Sequence, residues 1–355
     1  MHAAADSDRQ LGERIRAAAA RGAPLRLRGA GTKDFFGESL EGEVLELRAH
    51  RGIVHYEPSE LVITARCGTA LSELERTLAR EGQFLPCEPP RFGADPTVGG
   101  IIAAGFSGPR RMYAGAVRDF VLGARLIDAR GEPLRFGGEV MKNVAGFDLA
   151  RALCGSLGIL GVISEVSFKV LPLPRAEATL CLELDAAQAV AAFNRWAGQP
   201  LPLSAAAWHE GIAWVRLSGA AAAVGDACAR IGGQRQDAEP ARSFWSGLRD
   251  LTLPFFARAP LWRVSLPQTA PQLPVAATPL IDWGGAVRWY AGVPEASDVR
   301  AQAARLHGGA SCWRGPCQGP RLSPLPRASE LLHRRLKTHF DPRGIFNRNR
   351  LLPGL

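Results

Sequence analysis

The sequence has no uninterrupted apolar run of 18 residues, so it predicts no membrane-spanning helix. Its seven cysteines are scattered, and the closest pair, Cys312 and Cys317, has no matching second pair. That spacing fits neither a zinc ribbon nor a thioredoxin-type site, and free thiols of a cytosolic protein are the simplest expectation. The first residues include acidic side chains and no continuous apolar core, which is not typical of a secretory signal.

Two common phosphate-binding motifs are also missing. The chain contains no G-x-x-x-x-G-K-[ST] segment, which excludes the phosphate loop of P-loop nucleotidases. Residues 28–33, Arg-Gly-Ala-Gly-Thr-Lys, begin like G-x-G-x-x-G, but position 34 is aspartate and no helix is predicted at the second glycine. A Rossmann dinucleotide-binding fold is therefore disfavoured.

Basic residues outnumber acidic ones by 43 to 34, and the formal net charge is +9. They are spread along the chain, in pairs such as Arg110-Arg111 rather than in a long run, so nucleic-acid binding is not predicted. Lysine is scarce, with only four among the 43 basic residues, yet Lys33 and Lys142 lie in glycine-rich segments. Either the ammonium groups of these lysines bind a ligand, or the lysines lie in these segments by chance.

Glycine is concentrated in two N-terminal segments, residues 28–33 and 95–108. A glycine has no Cβ, so the backbone N–H groups there can approach a phosphate or a flat ring that a side chain would hold away. The two segments indicate a bound nucleotide cofactor. Any one of these glycines alone could equally make a turn.

The length of 355 residues predicts two domains, because a single core rarely keeps growing to that size. Period-2 and helical patterns predict a mixture of strands and helices. Strands are predicted over residues 24–28, 44–47, 53–56, 61–66, 120–128, 162–170 and 213–217, and helices over 11–20, 71–78, 220–231 and 329–340, with a further helix opening at 142–148. Pro172 and Pro174 end the clearest strand, so the expected domains are 1–172, 173–326 and 327–355.

Four segments in order resemble the FAD domain of the vanillyl-alcohol oxidase/p-cresol methylhydroxylase family, namely residues 28–33, 96–100, 142–148 and 155–163. Within that family, residues 261–265, 281–289 and 340–347 resemble the smaller of the FAD-binding subunits of bacterial glycolate oxidases. The resemblance covers nearly the whole chain. It implies an α+β fold with a two-subdomain FAD-binding domain of p-cresol methylhydroxylase type, then a smaller α+β cap domain, and a C-terminal tail that returns to the FAD domain.

The resemblance also implies which residues hold the cofactor. They would line the diphosphate, the flavin and the adenosine half of FAD, and they are Gly29, Ala30, Gly31, Thr32, Lys33, Pro96, Thr97, Gly99, Gly100, Gly105, Ser107, Gly108, Lys142, Gly158, Gly161, Val162, Ile163 and Asn347. Covalent attachment in this family often uses a histidine, and the histidines of this chain avoid both glycine-rich loops. Noncovalent FAD is therefore predicted.

Oxidation of a small-molecule 2-hydroxy acid needs a proton acceptor, a cation for the carboxylate, and a flavin that takes the hydride. Arg263 and Arg288 lie in tryptophan-flanked strand patterns, where a guanidinium pairs with a carboxylate or stacks on an indole. His209 is a candidate base or a structural residue. These three are the predicted catalytic residues. No metal is predicted, because His333 and His339 are six apart on a helix and lie on different faces.

The implied function is that of the FAD-binding subunit of a glycolate oxidase complex, with a larger FAD subunit and an iron–sulfur subunit as partners. The expected location is the cytoplasm, or the inner membrane through those partners. The tail departs from the family pattern, since residues 347–350 read Asn-Arg-Asn-Arg instead of Asn-Pro-Gly-Arg. Two alternatives stay open: a non-catalytic FAD-carrying assembly and electron-relay subunit, and a stand-alone flavin oxidoreductase that acts on a sugar or lactone.

Overall fold

The computed structural model describes residues 2–93, 95–138, 148–293 and 296–355, in which helices and strands are mixed. The helices are α1 (His2–Arg21), α2 (Leu71–Arg80), α3 (Val98–Ala104), α4 (Arg111–Ala114), α5 (Leu149–Ala152), α6 (Ala186–Ala197), α7 (Ala221–Ile231), α8 (Ala238–Asp250), α9 (Ala296–Arg305) and α10 (Arg327–Phe340). The described helices include none with the length and apolar character needed to cross a bilayer.

The strands are β1 (Leu25–Arg28), β2 (Glu43–Glu46), β3 (Ile53–Glu57), β4 (Val62–Arg66), β5 (Gln83–Phe84), β6 (Val121–Ile127), β7 (Pro133–Gly137), β8 (Val162–Lys169), β9 (Leu171–Pro172), β10 (Ala176–Glu183), β11 (Leu203–His209), β12 (Ile212–Gly219), β13 (Gln234–Arg235), β14 (Leu261–Ser265), β15 (Leu280–Asp282), β16 (Val287–Ala291) and β17 (Gly309–Arg314). Single 3₁₀ turns occupy Pro58–Glu60, Val117–Phe120, Pro254–Ala257 and Trp283–Gly285. The helix expected to open at residues 142–148 lies outside the described residues.

The N-terminal half contains a five-stranded antiparallel sheet in the order β3-β4-β8-β6-β7 and a parallel β1-β2 pair. Helix α2 packs on the large sheet through Leu71, Leu74 and Leu78, which the three-to-four-residue spacing places on one face. The glycine-rich α3 is buried in the same core through Val98, Ile101 and Ile102. The second glycine segment is thereby fixed against the large sheet, whereas the first glycine segment follows strand β1 of the parallel pair.

The second half contains an eight-stranded antiparallel sheet in the order β13-β10-β12-β11-β15-β16-β14-β17. Strand β11 shows how both faces are covered. Ala206 and Trp208 pack with residues of α6 and α7, whereas Ala205 and Ala207 pack with Trp245 and other residues of α8. This alternation is the period-2 pattern of a strand, and small alanines let the helices on both sides approach the sheet closely.

The C-terminal segment returns to the first half of the chain. After α10, Phe346 forms a parallel bridge with Leu25 of β1, so the tail extends the β1-β2 pair. The buried ammonium of Lys337 donates to the carbonyls of Ile159 and Phe346 at 2.7 and 2.8 Å and to the Asp341 carboxylate at 2.7 Å. All three of its N–H donors are therefore used to fix the tail.

An ion cluster connects the two sheets. The Glu88 carboxylate accepts hydrogen bonds from Arg110 in the first half and from Arg216 on β12, the latter at 2.9 Å. Arg110 also donates to Glu177 on β10 at 2.8 Å. The indole N–H of Trp283 donates to the Gly108 carbonyl at 3.1 Å. These contacts position the eight-stranded sheet over the second glycine segment.

We expect Lys337→Met to destabilise the protein by about 3–5 kcal/mol, because the Asp341 carboxylate would stay buried without its partner. Urea unfolding monitored by circular dichroism measures this. The control is Arg334→Met, which breaks a solvent-exposed pair with Glu330 at the same four-residue spacing of α10. We expect a loss of about 1 kcal/mol or less there. Equal losses in the two variants would contradict the role given to Lys337.

Candidate functional site

A cleft between the first glycine segment and α3 encloses about 740 Å³, including the part open to solvent. Its walls come from four separate parts of the sequence: the loop after β1, helix α3, the segment before β8, and the C-terminal tail. The lining residues include Gly29, Ala30, Gly31, Thr32, Lys33, Thr97, Gly99, Gly100, Gly158, Gly161, Ile163 and Asn347. Most of the predicted cofactor residues are thus brought together.

The loop of residues 30–33 offers backbone donors to this cleft. Within the described part of the chain, the amides of these four residues donate no hydrogen bond to another protein group. The loop is held from behind by Arg350, whose guanidinium donates to the carbonyls of Lys33 and Glu38 at 2.8 and 2.9 Å. A rigid loop with free N–H groups is suited to bind phosphate oxygens.

Cationic side chains surround the same loop. Lys33 is half-buried and donates to the Thr32 hydroxyl at 3.1 Å. Burial lowers the pKa of Lys33 to about 8, although Asp250 opposes the shift, so the ammonium is mostly charged at neutral pH. Arg26 and Arg28 share the carboxylate of Asp34 at 2.6 and 3.1 Å. The balance of charge is positive, as a diphosphate requires.

The glycines that line the cleft also make close contacts within the protein. A Cβ on Gly29 would lie 2.2 Å from the Thr97 hydroxyl oxygen, and a Cβ on Gly99 would lie 2.8 Å from Cys67 Cβ. The Gly99 amide donates to the Cys67 carbonyl and the Gly100 amide to the Thr97 hydroxyl. Gly99 and Gly100 therefore contribute backbone surface rather than free donors.

The remaining predicted cofactor residues have other positions. Gly105, Ser107 and Gly108 line a second cavity that begins where α3 ends. Pro96 and Val162 line neither cavity, and Val162 packs against the tail residues Ile345 and Phe346 among others. Lys142 lies outside the described residues.

Asn347 connects three walls of the first cleft. Its side-chain oxygen accepts from the Leu27 amide at 2.8 Å, and its side-chain nitrogen donates to the Leu157 carbonyl at 2.7 Å. The side chain also fills the space beside Gly158, where a Cβ would lie 2.7 Å from it. The sequence predicts Asn347 as a cofactor residue, and in this structure its amide joins β1, the 157–158 turn and the tail.

The second cavity encloses about 1150 Å³, including open solvent, and lies between the second glycine segment and the eight-stranded sheet. Its walls include six aromatic side chains, those of Phe36, Phe92, Phe106, Trp283, Trp289 and Trp313. Phe106, two residues after the end of α3, packs against Trp313 with ring centroids 4.7 Å apart. The first cleft is lined by Ala104 and the second cavity by the next residue, Gly105, so the two cavities lie close to each other at the end of α3.

Arg263 projects into this second cavity, where its guanidinium lies over the rings of Trp283, Trp289 and Trp313 at 4.7, 5.8 and 5.9 Å. Arg111 lies over the same Trp283 ring at 4.3 Å. Neither guanidinium has a carboxylate within ion-pairing distance among the described residues. Burial lowers the pKa of Arg263 to about 10, so it stays charged at neutral pH.

Asp282 is a cavity residue that sequence reasoning missed. It ends β15 and is only 7% exposed. Its Oδ1 accepts from the Trp283 amide at 2.7 Å. Burial raises the pKa of Asp282 to about 7, against the opposing effects of that amide and Arg263. The signal in the sequence was an acidic residue in the tryptophan- and glycine-flanked segment 281–289.

The other two predicted catalytic residues lie apart from this cavity. Arg288 neighbours Trp289 on β16 and so faces the opposite side of the sheet, where it donates to the carbonyls of Ala270 and Pro271. His209 ends β11 and contacts Phe255 with ring centroids 5.6 Å apart. Their catalytic roles stay predictions that this placement does not support.

Comparison with known proteins identifies the cofactor class of the site. Residues 2–137 match a family model described as an FAD binding domain. The chain is 44% identical to glycolate oxidase subunit GlcE of Escherichia coli over 98% of this chain and 97% of that protein. It is 33% identical to glycolate oxidase subunit GlcD of Bacillus subtilis over 44% of this chain and 34% of that protein.

A wider comparison confirms the predicted fold class. A D-lactate dehydrogenase of Anaerostipes hadrus is 30% identical over 41% of this chain and 30% of that protein. A solved structure of alkyldihydroxyacetonephosphate synthase superposes with a TM-score of 0.65 at 15% identity, over 95% of this chain and 74% of the other. The α+β FAD-binding architecture is therefore shared with these proteins, and the FAD prediction is confirmed.

The position of Lys33 predicts a pH dependence of FAD binding. Below pH 8 the ammonium is charged and attracts phosphate, whereas above pH 8 it loses its proton, so the affinity should fall as the pH rises through about 8. Lys33→Met should weaken binding at mildly acidic pH by about tenfold or more, since one charge-assisted hydrogen bond is lost. Quenching of FAD fluorescence measures both effects.

The matched control is Lys169→Met, which removes a lysine at the end of β8 that lines neither cavity. We expect it to keep the affinity and the pH profile of the unaltered chain. A Lys33→Met variant with the same profile would show that Lys33 does not contact the diphosphate.

Proposed function

The chain belongs to the family of the glycolate oxidase subunit GlcE, and on that premise we propose that it is the FAD-binding subunit of a glycolate oxidase, which oxidises glycolate to glyoxylate. The observation that carries the proposal is the proximity of two sites. A cleft with free backbone donors and an excess of cationic groups lies next to a cavity with six aromatic side chains and two guanidiniums that form no ion pair among the described residues.

The residues present fit FAD. The free amides of residues 30–33 and the ammonium of Lys33 would hold the diphosphate, and the apolar surface at Gly158 and Ile163 would contact the nucleoside half. When bound, FAD supplies the two-electron acceptor for the hydrogen that leaves the substrate carbon as hydride. We propose that it is held without a covalent bond, because no described histidine side chain lines either cavity.

The second cavity is suited to a small carboxylate. Arg263 and Arg111 both lie over Trp283 and form no ion pair within the described residues, so an anion between them would meet two positive charges. The planar guanidinium of Arg263 can donate two parallel hydrogen bonds to a carboxylate, while the indoles exclude water around them. We therefore assign Arg263 as the residue that binds the substrate carboxylate.

The partners implied by this function are a larger FAD subunit and an iron–sulfur subunit. Electrons from reduced flavin need an acceptor, and the seven cysteines of this chain are all free and scattered, without the closely spaced sets that ligate a cluster. The related proteins are named as subunits, which supports a multi-subunit enzyme. We propose that any contact with the inner membrane is made by those partners.

A second candidate function is a relay subunit whose FAD never meets substrate. The observation that favours it is the lack of an imidazole base, because none of the described histidine side chains lines the second cavity. Under this alternative the aromatic cavity would contact a partner or stay closed, and glycolate would be oxidised elsewhere in the complex.

Anaerobic reduction of the isolated FAD-loaded chain separates the two functions. We expect glycolate to bleach the flavin absorbance, and we expect Arg263→Met to lower kcat/KM by about ten- to hundredfold through loss of a charge-assisted hydrogen-bond pair. Arg258→Met is the control, because Arg258 is exposed and stacks on Phe255 outside the cavity. Bound FAD that no glycolate concentration bleaches would contradict autonomous catalysis and support the relay function.

A further inference from the structure

We propose that Asp282 is the catalytic base of the second cavity, which accepts the hydroxyl proton of a 2-hydroxy acid whose carboxylate is bound by Arg263. This assignment rests on the proposed function. It gives the cavity the proton acceptor that no described histidine provides. The argument comes from the position of the carboxyl group, its hydrogen bonds and the charges that surround it.

Asp282 lines the cavity although only 7% of the residue is exposed. Oδ1 is fixed by the Trp283 amide, which orients the group. Oδ2 accepts no hydrogen bond from the described residues, and it is not among the side-chain atoms sealed from solvent. One oxygen is therefore anchored and the other is available to a ligand.

Comparison with Asp341 shows that this arrangement is not that of a structural aspartate. Asp341 is also buried, and both of its oxygens are used: they accept from the amides of Ile345 and Phe346 and from the Lys337 ammonium. A buried carboxylate is costly unless its hydrogen-bonding capacity is satisfied. The free Oδ2 of Asp282 is explained if it accepts a hydrogen bond from a substrate hydroxyl.

The groups around Asp282 make both its protonated and its ionised form accessible near neutral pH. Burial raises the pKa of Asp282 to about 7, and a proton acceptor works best when its pKa lies near the working pH. The charged and titratable groups that act on it are Arg263, Arg216, Glu88 and Tyr113. Arg111 adds positive charge beside Arg263. The two cavity guanidiniums favour the carboxylate form, which is the form that accepts a proton.

The proposed step is balanced in atoms and electrons. The substrate O–H bond breaks and its proton passes to Oδ2 of Asp282. The electron pair left on oxygen forms the carbonyl bond, and the hydrogen on the same carbon leaves with its own electron pair to the flavin oxidant of the proposed function. The product is a 2-oxo acid, and the proton on Asp282 is released to water before the next substrate binds.

Asp282→Asn tests the assignment with little change of shape, because an amide oxygen can still accept from the Trp283 amide. We expect the FAD-loaded chain with this variant to be bleached by glycolate about a hundredfold more slowly or worse, with unchanged FAD binding. Asp282→Glu should recover part of the rate. Asp185→Asn is the control, since Asp185 caps α6 on the surface of the same half.

A second measurement does not depend on turnover. Oxalate, a dicarboxylate that cannot be dehydrogenated at a hydroxyl group, should bind between the guanidiniums, and calorimetry measures its Kd across neutral pH. We expect its affinity to fall as the pH rises through about 7, because Asp282 becomes negatively charged beside the anion. Asp282→Asn should bind oxalate with little pH dependence, and Arg263→Met should bind it weakly at every pH.

The outcomes distinguish a failure of the Asp282 assignment from a failure of the proposed function on which that assignment rests. A wild-type chain that binds FAD but is never bleached overturns the proposed function, and the base assignment with it. A bleached wild type together with an Asp282→Asn variant that reacts at the same rate overturns only the assignment of Asp282. An oxalate pH profile that is identical in wild type and variant also overturns it.

Discussion

The hydrogen bonds that fix the C-terminal tail to the first half of the chain are the interaction on which the nucleotide cleft depends. Asn347 joins the Leu27 amide to the Leu157 carbonyl, and Lys337 joins the Ile159 carbonyl to the tail. Arg350 then holds the carbonyls behind the donor loop. Residues from the two ends of the chain thus form one wall, and the cleft exists only when the tail is in place.

This constraint connects the two cavities. Helix α3 lines the first, and the residues of the second glycine segment that follow the helix line the second. The Glu88 cluster and the Trp283–Gly108 hydrogen bond fix the eight-stranded sheet over that segment, and Arg263 and Asp282 of that half line the second cavity. The chemistry of the second cavity therefore depends on contacts between the halves rather than on any local motif.

The periodic parts of the fold could be predicted from the sequence, and the site only in part. Strand β8 and helix α10 were predicted because their apolar patterns are regular. Helix α3 was not, because glycines disfavour helix and its start is fixed by Thr97 and by contacts with residues near β4. The position of Arg111 in the cavity could not be predicted from the pair Arg110-Arg111, because the two residues have different environments. Arg110 forms an ion pair with Glu88, while Arg111 faces the cavity. The raised pKa of Asp282 comes from its burial in the folded protein, which no local sequence pattern predicts.

Hydrogen exchange of the backbone amides in the presence and absence of FAD tests the central claim most directly, because it reports on the donors themselves. The account predicts that the amides of residues 30–33, which have no acceptor among the described residues, become protected when FAD binds, while those of β12 on the second sheet exchange as before. Unchanged exchange in residues 30–33 with FAD bound would contradict it.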